Sequence, residues 1–328
     1  MTERFDQAFA PLAAAVAAGR IPGGVLALSV GGRRRLRATG RAQVVPAARP
    51  MTEETWFDLA SLTKVVFTTP RILALAGAGV IDLDAPLTTL LPDLRQYDPA
   101  AWERQVTYRQ CLGHQTPFPA VEPFYTYGRD ADLLRAFVLQ REWRRGPPVY
   151  SDINFILLGL ALERHHHCPI RAMDPGPGLA WAAPPEASAA TEDCTWRHRV
   201  LSGEVHDDNC AALQGAGHAG LFGTAESLLA FAEGLLAAPD APATRLMRQR
   251  LSPDRTHGWQ AAHPGWPGGD LCPPGTIGHT GFTGTGLWID FECGRAWALL
   301  TNRIHPTRHV DSGIAGLRRA TGDALYGG

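Results

Sequence analysis

The sequence predicts a mixed α/β protein of the α+β kind, an antiparallel sheet flanked by helices with a mostly helical lobe inserted into it. Three observations carry that class. A strand–turn–strand pattern surrounds Gly31-Gly32 near the start, a second pair of apolar or alternating runs covers His279–Ile289 and Arg295–Thr301, and helical spacings with loops fill the interval. Strands at both ends with helices between them imply a discontinuous α/β lobe, residues 1–60 with 255–328, and a helical lobe over 61–254. The cleft between two such lobes is where a site is expected.

Taken in order, Phe5, Phe9, Leu12, Ala13 and Val16 recur at helical spacing and stop at Gly19, which predicts an amphipathic first helix. Gly24–Val30 and Arg33–Thr39 then form a hairpin, with a second turn at Gly40. The basic run Arg33, Arg34, Arg35, Arg37 and Arg41 falls there and reads as a solvated strand face rather than a phosphate patch. Met51–Leu59 leads into a helix that begins near Ser61, continues to Gly77 or Gly79, and bends at Pro70, where one backbone hydrogen bond is lost. Short helices follow at Val106–Leu112 and Ala131–Val138, then a strongly apolar one at Ile153–Leu162. Residues 168–196, rich in Pro, Ala and Gly, read as a long surface excursion. Ala225–Leu236 is amphipathic, 237–278 shows little periodicity, and a short helix closes the chain at about Ser312–Leu325.

Bulk composition narrows the function classes. Hydrophobic content of 45% and charged content of 19% describe an ordinary globular protein. A net charge of -1 favours neither nucleic acid nor an anionic membrane surface as a partner. No apolar run approaches the ~18 residues of a membrane span, and the N-terminus lacks a basic start followed by an unbroken apolar core. Cys111, Cys168, Cys194, Cys210, Cys272 and Cys293 are scattered without a C-x-x-C pair, as expected of reduced thiols in the cytoplasm. His165-His166-His167-Cys168 offers ligand atoms, but consecutive histidines at a helix end point in different directions, so a solvated tail is expected and no metal.

The chemistry concentrates at Ser61-Leu62-Thr63-Lys64. Lys64 is the one lysine in a chain with thirty arginines, and only an amine can plausibly lose its proton near neutral pH. Three residues of helix would set the Ser61 hydroxyl and the Lys64 amine on one face, a serine with a base beside it. Ser-x-x-Lys alone is a common string. Tyr150-Ser151-Asp152 opens the apolar helix and reads either as a core tyrosine beside a helix cap or as a phenol aimed into the cleft, ionised in part by a nearby cation. Gly278–Gly286 is glycine-rich yet runs into a strand and lacks a phosphate-loop pattern; it reads as a structural strand or as an edge offering a backbone N–H to an oxyanion.

Ser-x-x-Lys, Tyr-Ser-Asp and His-Thr-Gly, in this order and at these separations, resemble the serine β-lactamase and penicillin-binding-protein superfamily, closest to its ampC-like β-lactamase and esterase branch. The likeness extends over nearly the whole chain, including Gly217–Phe222 and Thr301–Pro306. It implies a β-lactamase/transpeptidase-like fold and a serine hydrolase that works through a covalent acyl-enzyme without a cofactor. Ser61 would be the acylated nucleophile, Lys64 its hydrogen-bonded partner and Tyr150 the general base and acid. The N–H groups of Ser61 and Phe282 would form the oxyanion hole, with His279, Thr280 and Gly281 along the substrate.

Two positions depart from the family pattern. Asp152 stands where many relatives have Asn, and His279 where many have Lys. A carboxylate cannot donate as an amide can, and imidazole carries a weaker, pH-dependent charge, so an ester or amide substrate other than a carboxylate-bearing β-lactam is expected. His206 and Asp207 belong to a polar cluster that is either a surface loop or a reader of substrate polar groups. Val205–Asn209, Gly217–Phe222 and His279–Asp290 are similar to a subset tied to peptidoglycan turnover, which implies a small-molecule or muropeptide-like substrate. The rival reading is a β-lactam-binding sensor, or a penicillin-binding protein that acylates and deacylates slowly.

Overall fold

The structure, a computed structural model, describes residues 2–327. Its α-helices are α1 (Thr2–Ala17), α2 (Thr69–Gly77), α3 (Tyr108–Leu112), α4 (Ala131–Gln140), α5 (Asp152–His166), α6 (Asp208–Ala212), α7 (Ala225–Ala237), α8 (Pro242–Arg248) and α9 (Ile314–Tyr326). Its strands are β1 (Gly23–Val30), β2 (Arg33–Gln43), β3 (Arg49–Pro50), β4 (Phe57–Asp58), β5 (Leu179–Ala180), β6 (Asp193–Cys194), β7 (Arg199–Val200), β8 (Phe222–Gly223), β9 (Gln260–Ala261), β10 (Ile277–Thr280), β11 (Thr285–Asp290) and β12 (Arg295–Thr301).

Seven strands pair antiparallel in the order β3-β2-β1-β12-β11-β10-β9, so the opening hairpin lies against strands from the end of the chain. Strand alternation divides the apolar side chains between two cores. Leu26, Leu28, Trp288 and Trp297 pack under α1 and α9 with Phe5, Leu12 and Leu317. Val25, Ala27, Leu287 and Leu300 face the larger core, which also takes in Val65, Phe67, Phe155 and Leu158. The mixed α/β class with its antiparallel sheet is as the sequence predicts.

Several local expectations are corrected. β2 does not turn at Gly40 but passes through it to Gln43; the residue has φ +80° and backbone so close that a Cβ would meet Pro22 O at 2.2 Å. His279–Ile289 is two strands, β10 and β11, separated by a turn at 281–284. The helix begins beside Ser61 as expected, at Leu62, but Lys64–Thr68 form a π-helical turn within it before α2. Pro70 lies, as expected, inside this unbroken helical run, just after the π-helical turn, and donates no backbone hydrogen bond there. The excursion 168–196 is not all surface: Ser188–Glu192 are buried, and Trp56 bonds Ala187 and Ala189 through its N–H and carbonyl at 2.9 and 2.8 Å.

The apolar α5 packs against the 217–218 loop through two glycines. A Cβ on Gly159 would meet Gly217 N at 2.5 Å, and one on Gly217 would meet Phe155 O at 2.4 Å. Gly159→Ala should therefore lower stability by about 1–3 kcal/mol in thermal or denaturant unfolding. Gly234→Ala is the control: it lies exposed inside α7 with nothing near a new Cβ, and should stabilise by about 0.5–1 kcal/mol.

Candidate active site

The backbone before Ser61 is held by a buried carboxylate. β4 pairs with β8, and Asp58 at its end accepts the N–H of Ala60 at 2.8 Å and of His206 at 2.6 Å. Burial pushes the Asp58 pKa up, against the pull of those two N–H groups. Ala60 adopts a left-handed φ of 47°, a conformation that costs a non-glycine residue about 1–2 kcal/mol. That turn presents Ser61, partly exposed, at the cleft.

Lys64 is completely buried behind it. Its Nζ donates to Ser61 Oγ at 3.0 Å and to the His218 carbonyl at 3.0 Å, and makes an ionic contact with Asp152 Oδ1 at 2.8 Å. Burial opposes the ammonium, but the charges of Asp152 and Tyr150 outweigh it and raise the Lys64 pKa above the ordinary lysine value. The amine that the sequence suggested as a proton acceptor is thus held as a cation. Asp152, Asp207 and His218 bring their ligand-type atoms within 4.8 Å of one another. Asp207 accepts His218 Nε2 at 2.9 Å and caps α6 through Cys210 N at 2.7 Å; burial disfavours its charge, yet His218 keeps its pKa below the usual carboxylate range.

Tyr150 stands on the other side of the amine, with Lys64 Nζ 5.1 Å from its ring centroid and the Arg255 guanidinium at 5.2 Å. Its hydroxyl is buried and makes no aligned hydrogen bond among the described residues. Ser151 occupies the N-cap of α5 without a side-chain cap; its hydroxyl donates to the Pro119 carbonyl at 2.6 Å.

The third wall is the turn from β10 to β11. Thr283 Oγ1 donates to Asp58 O at 2.7 Å and Thr285 Oγ1 to Leu59 O at 3.1 Å, which ties this turn to the backbone before Ser61. Arg318 Nη2 reaches Gly281 O and Thr285 O at 2.9 and 2.7 Å, while Arg303 Nε holds Phe282 O at 2.9 Å. The N–H groups of Ser61 and Phe282 find no acceptor among the described residues. His279 is buried, its Nδ1 3.0 Å from Thr280 O, and burial together with Lys64 and Arg255 pushes its pKa well below the ordinary value, so it stays neutral.

A cleft of about 340 Å³ opens between these walls, lined by Ser61, Tyr150, His279, Thr280, Gly281 and Phe282 together with Arg255, Gln260, Arg303 and Arg318. Burial, and then Arg303, push the Arg318 pKa down to about 9. His206 and Asp207 do not line the cleft. His206 is stacked under Phe282 at 5.7 Å and bonded to Glu192 at 2.9 Å, while Asp207 is taken up by His218 and Cys210 N. The arginines were invisible in sequence because nothing local distinguishes them from the other guanidinium groups. A wider groove of about 750 Å³ runs beside α4 and the end of α5, but its Arg135–Glu163 and Arg164–Asp93 pairs neutralise one another and no serine–amine pair faces it.

Comparisons with known proteins agree with this fold. The sequence model of the Beta-lactamase family matches residues 5–320. An N-acetylmuramyl-L-alanine amidase of Bacillus subtilis is 27% identical, over 78% of this chain and 69% of that protein. A putative D-alanyl-D-alanine carboxypeptidase of Salmonella agona is 26% identical, over 77% and 71%. Among solved structures, a class C beta lactamase superposes with TM-score 0.76 at 16% identity, covering 98% of each chain, and EstCE1, a hydrolase with promiscuous acyltransferase activity, with 0.75 at 20%, covering 99% of each. Fold and family define an enzyme, a serine hydrolase. The chain belongs to the Beta-lactamase family. No helix among the described residues is long and apolar enough to cross a membrane.

Because the chain has a single lysine, selective 15N labelling gives one Nζ signal and a direct titration of the site. In the native protein the ammonium should persist above the pH at which ordinary lysine deprotonates, and its contribution to stability should be complete below that range and fade only in alkali. Asp152→Asn removes the main opposing charge, so the transition should move to lower pH; an unmoved titration would mean that Asp152 does not hold the charge.

Proposed function

We propose that this chain hydrolyses an ester or amide through a covalent acyl-enzyme on Ser61. One observation carries the reading: the Ser61 hydroxyl lies 3.0 Å from a buried ammonium, whose Nζ is 5.1 Å from the centre of the Tyr150 ring. Ser61 Oγ bonds to the substrate carbonyl carbon as its proton passes to Tyr150, which enters the step as phenolate and leaves it as phenol. Lys64 stays an ammonium throughout and, with Arg255, supplies positive charge beside that oxygen. The N–H groups of Ser61 and Phe282 take the negative charge that forms on the carbonyl oxygen. The C–N or C–O bond then breaks, and Tyr150 returns the proton to the departing amine or alcohol. Water repeats the sequence, releasing the acid and restoring the serine.

The substrate we favour is a muramoyl-peptide or a related small ester or amide. The names of the Bacillus subtilis and Salmonella relatives support cell-wall peptides as its class. Arg255 and Arg303 support an anionic group on it, since neutral His279 cannot supply the cation that a lysine would. In this reading the cleft separates a lobe of residues 1–60 with 255–328 from one of 61–254, and the enzyme acts in the cytoplasm, consistent with six free cysteines.

A fluorophosphonate should add once to the protein in intact-mass measurements, and a chromogenic ester should turn over, both being lost in Ser61→Ala. A lasting adduct without turnover would point to a sensor instead, and release of free peptide from a muramoyl-peptide tests the substrate. Lys64→Arg keeps the charge but cannot fit the ammonium's place between Ser61, His218 and Asp152. Its kcat should fall about 10²–10⁴-fold, nearly as far as in Lys64→Ala; near-normal turnover would remove the amine from the mechanism.

A further inference from the structure

No motif of the sequence includes His114, yet it is the residue most closely applied to the phenol of Tyr150. It follows Gly113 at the end of α3 with a left-handed φ of 52°, and only 4% of its surface is exposed. Its ring lies against Tyr150 with centroids 4.4 Å apart and a 35° tilt, and against Phe155 on α5 at 5.2 Å and 36°. Its Nδ1 accepts the N–H of Ser151 at 3.1 Å, which fixes the peptide immediately after Tyr150.

We propose that His114 is the positioning residue of Tyr150, its ring and its Nδ1 together setting where the phenol stands relative to Ser61 and Lys64. The inference rests on the acyl-enzyme reading above, in which that phenol moves the proton.

The hydrogen bonds determine the imidazole's state. Thr116 Oγ1 donates to Asn154 Oδ1 at 2.6 Å, which turns the Asn154 amide nitrogen toward His114 Nδ1 at 3.3 Å. Two donors, the Ser151 N–H and the Asn154 amide, therefore converge on one ring nitrogen. Nδ1 must be bare and the proton must sit on Nε2, which is buried and has no acceptor among the described residues. A proton on Nδ1 would break both bonds and add a charge beside Lys64, Arg255 and His279, the groups that with burial keep this ring neutral. Tyr150 Oη makes no aligned hydrogen bond among the described residues, so its place depends chiefly on what grips its ring and its backbone. His114 does both.

A double-mutant cycle on the rate of Ser61 labelling by a fluorophosphonate tests this, since that rate needs the nucleophile and its base but no natural substrate. His114→Phe keeps a ring and loses the Nδ1 acceptor, and should slow labelling about 10–100-fold. In a Tyr150→Phe background the same change should cost less than about 2-fold, because the group it positions is already gone. His114→Asn should recover part of the rate, because its amide oxygen can receive the Ser151 N–H and Asn tolerates a left-handed φ. Equal losses in both backgrounds, or a native rate in His114→Phe, would overturn the assignment. If His114→Phe does not fold, the cycle with His114→Asn decides the matter: its partial slowing must vanish in Tyr150→Phe. A native protein that never labels would instead overturn the hydrolase reading, and this inference with it.

Discussion

A lysine ammonium buried to zero exposure is the constraint around which the site is assembled. Removing such an ion from water costs several kcal/mol even after relaxation, and only close opposite charge with further hydrogen bonds offsets that. Asp152 provides the charge at 2.8 Å, and the His218 carbonyl and Ser61 Oγ take the remaining protons, each at 3.0 Å. Two of these partners, Asp152 and His218, come from distant stretches, so the ammonium is satisfied only if both arrive together. That requirement reaches back into the packing. The His218 carbonyl is in range because the 217–218 loop rests on α5 through Gly159 and Gly217, and because Thr68 Oγ1 donates to the Gly217 carbonyl at 2.7 Å. Two missing Cβ atoms are thus part of how the ammonium is accommodated.

The second dependency joins the backbone around Ser61 to the β10–β11 turn. Asp58 and Leu59 give their carbonyls to Thr283 and Thr285, while the Asp58 side chain holds Ala60 and His206. The peptide groups of residues 60–61 and 281–282 are therefore located by one shared network, and a shift in either would move both. His206 extends it: bonded to Glu192, which Arg308 grips at 2.7 and 2.9 Å, it presents its ring to the face of Phe282. Phe282 is half exposed, yet Arg303 at 4.8 Å and Arg308 at 5.8 Å also lie over its ring. An exposed aromatic held this way is a wall and not a loose end.

What could be read from sequence divides along the range of the interactions. The hairpin, α1, α5 and α7 were legible because periodicity and turn glycines are local signals. The Ser61–Lys64 contact was legible because its two members lie three residues apart and the lysine is unique. The π-helical turn at Lys64–Thr68 was not, because no local pattern in the sequence marks it. Arg255, Arg303, Arg318 and His114 were out of reach altogether. Each works through partners tens to hundreds of residues away, and an arginine among thirty carries no mark of its own.

The two departures from the family pattern gain a common explanation from the charges. Lys64, Asp152 and His279 together sum to no net charge, since the first two cancel and burial keeps the third neutral. A lysine and an asparagine at the departing positions would leave that trio with two positive charges. Here the positive field at the cleft comes from Arg255, Arg303 and Arg318 instead, on elements outside the three motifs. Guanidinium differs from ammonium in kind: it is planar, directs several N–H bonds at once and cannot be deprotonated near neutral pH. Arg318 and Arg303 spend those bonds on the Gly281 and Phe282 carbonyls, so the groups that would attract an anion also hold the peptides that would receive the oxyanion. On the proposed reading, recognition and transition-state geometry would rest on the same side chains.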